Sequence, residues 1–236
     1  MILLEGTGLA RRYGGFTAVD NVDIAVREGD IHGLIGPNGA GKSTLIDILS
    51  GRQGGYSTGT IKLNGRPISN AGPGERRLLG LSRSFQRTSI FPTLTVGEQL
   101  KLAARKIGGN DADISEITAE LALSALVDRV AQTISYGDQR RLDLALALVG
   151  RPRLLLLDEP ASGLTARESV LLARHLRSLV NGWNVTVLIV EHDMEVVFGI
   201  CDQITVMHLG RKLAEGRPEE IRSDARVIEA YLGSET

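Results

Sequence analysis

Residues 36–43 read Gly36-Pro37-Asn38-Gly39-Ala40-Gly41-Lys42-Ser43, with Thr44 next. Three glycines let backbone N–H groups wrap the oxygens of a phosphate, and a helix opening at Lys42 adds the positive end of its dipole. At that spacing Lys42 would contact the β- and γ-phosphates of a bound nucleotide, and the Ser43 hydroxyl would ligate Mg²⁺. The duller explanation is a chance glycine-rich turn. An apolar strand before the segment and a helix-compatible stretch after it favour the phosphate loop. A second segment, Leu154-Leu155-Leu156-Leu157-Asp158-Glu159, has the form of an apolar strand carrying two carboxylates to the end of a sheet. There Asp158 can hold the Mg²⁺ shell and Glu159 can polarise an attacking water. Taken alone it also reads as a buried strand followed by an acidic turn, and the phosphate loop upstream decides between the two.

Other residues carry weaker signals. Ser135-Tyr136-Gly137-Asp138 opens a helix. Ser135 reads there as an N-cap with Asp138 three residues on, although a capped N-terminus is itself an anion site. His192, in Glu191-His192-Asp193, follows a strand and so lies on the edge where α/β proteins bind ligands. A solvated loop histidine, with Asp193 capping the next helix, fits equally. Gln86 closes the stretch Ser82-Arg83-Ser84-Phe85-Gln86 and is unremarkable by itself. Tyr13 precedes Gly14-Gly15 and either offers a ring to a purine or packs on its own hairpin.

The positioning elements follow from pattern. Val22, Ile24 and Val26 alternate with Asp23, Ala25 and Arg27, the period of a half-buried strand, within a strand-and-hairpin region over 2–35. Ile31–Ile35 is a short apolar strand leading to the glycine loop, and 42–49 is helical. Residues 60–63 enter a tight turn at Asn64-Gly65, a Gly/Pro-punctuated stretch covers 71–74, and 80–85 reads as a strand. From 95 to 130 the chain is Leu/Ala-rich and helical, with a loop at 108–111. A helix over 135–149, a strand at 154–157, a helix at 165–180, a strand at 185–190, a short helix after Asp193, a strand at 203–209 and a helical tail at 218–232 complete the pattern. Strands alternating with helices predict an α/β fold with a mainly parallel core sheet, and the helical block at 87–134 interrupts the alternation as a subdomain.

Composition narrows the class. With 236 residues, 42% hydrophobic and 23% charged, the chain can bury one substantial core, which excludes disorder. The 28 glycines against only 4% aromatics point to loops where backbone approaches a ligand closely. Twenty-seven Lys+Arg against 28 Asp+Glu leave a net charge of −1, without the basic excess of a nucleic-acid coat. A single cysteine, Cys201, suits a reducing compartment. No apolar run, such as 144–149 or 154–157, approaches the roughly 20 residues of a membrane span. The start, Met-Ile-Leu-Leu-Glu, lacks a signal peptide's basic region, so a cytosolic chain is expected.

Together and in this order, these segments resemble the ATP-binding subunits of ABC transporters, over essentially the whole chain. The resemblance assigns Tyr13 to adenine stacking, residues 36–44 to the Walker A loop, Gln86 to the Q-loop and 134–139 to the signature. Residues 154–159 correspond to Walker B, 162–165 to the D-loop and His192 to the switch histidine. It implies a P-loop NTPase core with an N-terminal antiparallel β subdomain and a helical subdomain, in one nucleotide-binding domain (core 1–86 and 135–236, helical part about 87–134). ATP and Mg²⁺ would be bound, the metal by Ser43, Gln86 and Asp158. Catalysis would fall to Glu159, His192 and Gln86. Ser135 and Gly137 would contact the γ-phosphate from a second ATP-binding subunit, in a homo- or heterodimer. Two transmembrane permease subunits and, indirectly, an extracytoplasmic solute-binding protein complete the implied assembly, which places the chain peripherally on the inner face of the cell membrane. Tyr136, Asp138 and Thr165 depart from the commonest residues of the signature and D-loop.

The string Ser135-Tyr136-Gly137-Asp138-Gln139-Arg140-Arg141-Leu142, with Arg83-Ser84-Phe85-Gln86 and Thr95-Val96-Gly97-Glu98-Gln99-Leu100, resembles importers of branched-chain amino acids, whose relatives carry urea or short amides. The competing reading is an ABC-type ATPase acting on nucleic acid or the ribosome. Against it stand the near-zero net charge, the lack of zinc-spaced cysteines and the single cassette. A P-loop small-molecule kinase would leave Ser135 and His192 unexplained, and a non-hydrolysing regulatory subunit fits poorly with Glu159.

Overall fold

The alternation of Val22, Ile24 and Val26 is realised in strand β2 (Phe16–Arg27), where all three are buried. β2 pairs antiparallel with β1 (Ile2–Tyr13), which pairs in turn with β4 (Tyr56–Leu63), followed by the short β5 (Arg66–Pro67). The sheet order is β2-β1-β4-β5. The computed structural model describes residues 1–84, 88–107 and 109–232.

A second sheet of six strands carries the parallel core. Its members are β3 (Ile31–Ile35), β6 (Leu81–Ser84), β7 (Leu154–Asp158), β8 (Thr186–Val190), β9 (Gln203–His208) and β10 (Arg211–Gly216). Their order is β10-β9-β3-β8-β7-β6, with all pairs parallel except β9 and β10. β7 and β8 are buried along their whole length, which is why they read as continuous apolar runs. Their alternate residues still divide between two cores. Leu154, Leu156, Leu188 and Val190 join the antiparallel sheet and α1 (Lys42–Leu49) on one face. Leu155, Leu157, Val187 and Ile189 join the helices of the other face. The parallel sheet is thus the middle layer of three.

The helices on that other face are α3 (Val96–Ile107), α4 (Asp111–Glu120), α5 (Tyr136–Leu148), α6 (Ala166–Trp183), α7 (Met194–Ile200), α8 (Pro218–Ser223) and α9 (Ala225–Leu232). Their starts are written in the sequence. Asn110 and Thr165 form capping boxes with Asp113 and Glu168, and Ser135 and Asp193 cap α5 and α7 through their side chains. α6 runs three residues beyond the expected end, stopping where Asn184 takes a left-handed backbone, φ 55°. Two elements were not expected. The Gly/Pro stretch opens helix α2 (Pro73–Leu78), with Pro73 in its first turn, where the missing N–H costs nothing. β10 returns along β9 through a Leu209-Gly210 turn with both φ positive, a hairpin geometry for which Leu209 gives no sequence signal. Of the expected strand over 80–85, Leu81–Ser84 form β6 and Phe85 lies outside the described residues; Asp111, placed in a loop by its sequence, begins α4.

One buried titratable group lies in the central strand. His32 of β3 is 1% exposed, with Nε2 2.8 Å from the Thr205 hydroxyl and Nδ1 without a partner among the described residues, and burial lowers its pKa from 6.5 to about 4. The neutral ring is the native form, so its contribution is complete above pH 6.5 and is lost as the pH falls towards 4. By linkage, stability between pH 7 and 4.5 should drop by about 2 kcal/mol more in the wild type than in His32→Gln, measured by urea unfolding. Parallel pH profiles for the two chains would show that the ring is solvated in the folded state.

Candidate functional site

β3, β8 and β7 are neighbours and parallel, so the loops leaving their C-terminal ends converge on one edge. The loop after β3 is the glycine segment. Gly36, Gly39 and Gly41 all have positive φ, at 148°, 77° and 98°. At two of them space as well as φ demands glycine. A Cβ on Gly36 would lie 2.1 Å from the Met207 carbonyl oxygen, and one on Gly41 2.4 Å from that of Ala18. The loop folds back over Lys42, whose ammonium donates to the carbonyls of Gly36 at 2.6 Å and Pro37 at 3.0 Å. These partners are neutral dipoles, so the cation keeps its charge while burial lowers its pKa and the fields of Glu159 and Asp158 oppose that shift. A buried ammonium ringed by a glycine loop at a helix N-terminus is chemically suited to phosphate. Ser43 is exposed beside it, and Asn38 and Gly39 form the exposed rim.

β7 delivers Asp158, buried, to the same edge. Its Oδ2 accepts from Arg83 Nη2 at 3.1 Å, and no partner is described for Oδ1. Arg83, on β6, also pairs with Asp47 of α1 and donates to the Ser50 hydroxyl at 3.0 Å. One guanidinium thereby ties the helix after the glycine loop to the carboxylate strand. Burial raises the Asp158 pKa, and Arg83 works against the rise. A buried carboxylate with one oxygen on Arg83, at the same sheet edge as an exposed serine hydroxyl, is a donor set that fits Mg²⁺.

Glu159 follows with φ 50°, a left-handed conformation uncommon for a non-glycine residue. Its N–H donates to the Val190 carbonyl at 2.9 Å, and its own carbonyl accepts from Arg140 at 3.1 Å. Two elements over-determine the turn, as a strained functional residue requires. Glu191, at the end of β8, accepts from the Ala161 N–H at 2.7 Å and the His192 N–H at 3.3 Å, and burial raises its pKa. The buried carboxylate therefore splices the Glu159 turn to the His192 turn. The His192 side chain is 64% exposed, its Nδ1 4.0 Å from Glu191.

The structure thus brings the glycine loop, Lys42, Asp158, Glu159 and His192 to one edge. Ser135 and Gly137 are not joined to residues 36–44 by any hydrogen bond or ion pair among the described residues. They face α6 and the turn before it: the Tyr136 hydroxyl donates to the Ser162 carbonyl at 3.2 Å, and a Cβ on Gly137 would lie 2.3 Å from Glu168 Oε1. Both meanings of Ser135 are compatible with this, since it caps α5 and remains exposed. Thr165 has a definite local role, capping α6 reciprocally with Glu168. Tyr13 is 42% exposed and lies against the 54–55 backbone, where a Cβ on Gly55 would be 3.1 Å from its ring. Gln86 lies outside the described residues.

Sequence reasoning did not single out Arg83, Asp143 and Glu191 as site residues. Asp143 of α5 accepts from the Ser84 hydroxyl and from the Ser89 N–H at 2.9 Å, holding both flanks of the segment that contains Gln86. Arg83 and Glu191 stand next to motif residues without a signal of their own, and Asp143 stands in an apolar helix pattern where a charge should not be free. That mismatch was the available signal.

Comparison with known proteins fits this geometry. Residues 19–162 match the family described as ABC transporter, and 211–236 the one described as branched-chain amino acid ATP-binding cassette transporter. The chain is 40% identical, over 98% of both chains, to the high-affinity branched-chain amino acid transport ATP-binding protein LivG of Salmonella typhimurium. It is 38% identical, at the same coverage, to BraF of Pseudomonas aeruginosa, described in the same words. Among solved structures, the ADP conformation of MJ1267, an ATP-binding cassette of an ABC transporter, aligns with a TM-score of 0.89 at 30% identity over 99% of both chains.

The Arg83 network generates a stability prediction. Removing one member of a buried ion pair leaves uncompensated charge and costs about 3–5 kcal/mol. Arg83→Met should lose that much in equilibrium urea unfolding. A loss below about 1 kcal/mol, the value of an exposed pair, would show that Arg83 does not neutralise buried carboxylates.

Proposed function

Since the chain belongs to the ABC transporter family as an ATP-binding, ATP-hydrolysing subunit, we propose that it powers the import of branched-chain amino acids or related small polar solutes. Support for the solute class comes from the C-terminal match at 211–236 together with the near full-length likeness to branched-chain amino acid transport proteins. In this reading residues 36–44 form the phosphate cradle and Lys42 moves from its two carbonyl partners to the β- and γ-phosphates. Ser43, Asp158 and Gln86 would hold Mg²⁺, which when bound neutralises charge on the phosphate oxygens. Glu159 orients and activates the attacking water, His192 holds the γ-phosphate, and Tyr13 stacks on the adenine.

The observation that carries the coupling is the division of the site. The signature residues Ser135 and Gly137 face their own Ser162–Glu168 turn and helix rather than their own phosphate loop. A complete site therefore needs a second ATP-binding subunit, the same chain or a sister, whose Ser135 helix N-terminus closes over the first subunit's ATP. ATP favours the closed pair because it bridges both faces, and ADP, lacking the bridging phosphate, does not. The chain acts as one nucleotide-binding domain, with its core at 1–86 and 135–236. The helical part, about 87–134, reports the Gln86 segment's state to two permease subunits, which are served by an extracytoplasmic solute-binding protein. Among the described residues no helix is long and apolar enough to cross a membrane. Attachment to the inner face of the cell membrane falls to the permeases.

Two measurements test this. Glu159→Gln should keep ATP affinity while hydrolysis drops about 100-fold or more; turnover equal to the wild type would remove Glu159 from its role. The same chain, tagged and recovered from solubilised membranes in ATP and Mg²⁺, should bring down polytopic membrane subunits and an ATP-binding partner. Recovery with ribosomal or DNA-repair proteins and no membrane subunit would overturn the transport reading.

A further inference from the structure

Between β1, β4, α2 and the turns at 51–55 and 69–72 lies a cavity of ≈ 500 Å³ that shares no lining residue with the glycine loop. Three arginines line it, Arg11, Arg52 and Arg76, together with Ser57, Ser69 and Asn70, and no acidic residue does. Two of the three cations are deeply buried: Arg11 is 4% exposed and Arg76 2%.

Their hydrogen bonds do not cancel that charge. Arg76 donates to the carbonyls of Ile48, Leu49, Ile68, Ser69 and Ala71, clamping α2 onto the end of α1. Arg11 donates from Nε to the Ser57 hydroxyl at 2.7 Å and from Nη2 to the Arg52 carbonyl at 3.0 Å. Its Nη1 is buried with no partner among the described residues. Every acceptor is therefore a neutral dipole. The two guanidiniums act on each other: burial first, then repulsion from Arg11, lower the Arg76 pKa to about 10, with Glu75 a smaller opposing influence. Buried like charges without a carboxylate are costly unless an anion joins them. Arg52 also lines the cavity, its side chain 61% exposed and 3.7 Å from Asp47.

We propose that this cavity is a second binding site, for a small multiply charged oxyanion such as a phosphorylated metabolite, held by Arg11 and Arg52 against the Ser57 and Ser69 hydroxyls. The volume exceeds that of one phosphate group and falls in the range of small-molecule sites. Planar guanidiniums are the side chains best matched to phosphate oxygens. Gly54 forms the cover over Arg11. A Cβ there would lie 3.9 Å from Arg11 Nη1 and 3.6 Å from the Tyr13 hydroxyl. The unpartnered Nη1 of Arg11 thus lies under bare backbone at Gly54, next to the Tyr13 hydroxyl.

The probe is inorganic pyrophosphate, titrated by calorimetry in EDTA into the full chain carrying Lys42→Ala, so that the glycine loop competes weakly for it. One saturable site of sub-millimolar affinity is expected. Adding Arg11→Met should abolish it, and adding Arg52→Glu, an exposed change that leaves the melting curve in place, should weaken it about tenfold or more. No saturable binding, or binding unaffected by Arg52→Glu, would overturn the proposal even if Arg11→Met fails to fold. Failure of the ATPase reading would appear separately, as ATP affinity untouched by Lys42→Ala.

Discussion

The architecture of the site depends on one close approach of backbones. The glycine loop passes between the Met207 carbonyl of β9 and the Ala18 carbonyl of β2, where Gly36 and Gly41 have no room for a side chain. The Leu209-Gly210 turn closes the arrangement, its Gly210 N–H donating to the Ala40 carbonyl at 3.0 Å and its Gly210 carbonyl accepting from Asp20 N–H at 2.8 Å. Arg211 adds an ion pair to Asp20 at 2.6 Å. A loop that must present N–H groups to a phosphate cannot be held by its own side chains, because it has almost none. It is held instead by backbone from both sheets, and so the antiparallel sheet and the β9–β10 hairpin fix the shape of the glycine loop although neither contributes a residue to it.

The second constraint is charge. Lys42, Arg83, Asp47, Asp158, Glu159 and Glu191 crowd one sheet edge, and the protein handles them in two ways. Asp158 and Asp47 are neutralised directly by Arg83. Lys42 and Glu191 are instead solvated by backbone, the cation by carbonyls and the carboxylate by N–H groups. The distinction matters for function. A charge paired to its opposite is spoken for, whereas one surrounded by dipoles can still respond to a third partner. Lys42, the group assigned to the phosphates, is of the second kind. The same logic distinguishes the arginines: Arg83 is committed to carboxylates, while Arg11 and Arg76 are surrounded by neutral acceptors and keep their charge.

Most of this was legible in the sequence where a local rule and a tertiary requirement agreed. The glycine loop, the buried strand to Asp158, and the caps at Ser135 and Asp193 each announce themselves through residue type and spacing, and each is found where the pattern puts it. The missed elements are those whose cause is not local. β10 exists because β9 offers it an edge, and its turn uses Leu209 in a backbone region that sequence statistics reserve for Asn and Gly. α2 begins at a proline that also signals a break. Arg83 and Glu191 were not legible as site residues because Asp158 and Ala161, which they hold, lie 75 and 30 positions away in the chain, and the charge of Asp143 in an apolar helix pattern signalled a partner without naming Ser84, 59 positions away. Nothing in local spacing reports such a pairing.

The departures of the signature from its commonest form make sense as a set. Tyr136 occupies a position where the family usually has glycine, and its hydroxyl reaches the Ser162 carbonyl while its ring covers Gly163, whose φ of 79° leaves that face bare. Arg140, one turn on, stacks 5.8 Å from that ring and donates to the Glu159 carbonyl. Gly137 makes room for Glu168, which Thr165 holds through the capping box of α6. Signature helix, Glu159 turn and D-loop are therefore bonded into one unit within a single chain. Within one chain the Ser135 helix therefore cannot shift relative to the Glu159 turn and residues 162–165 without breaking these contacts.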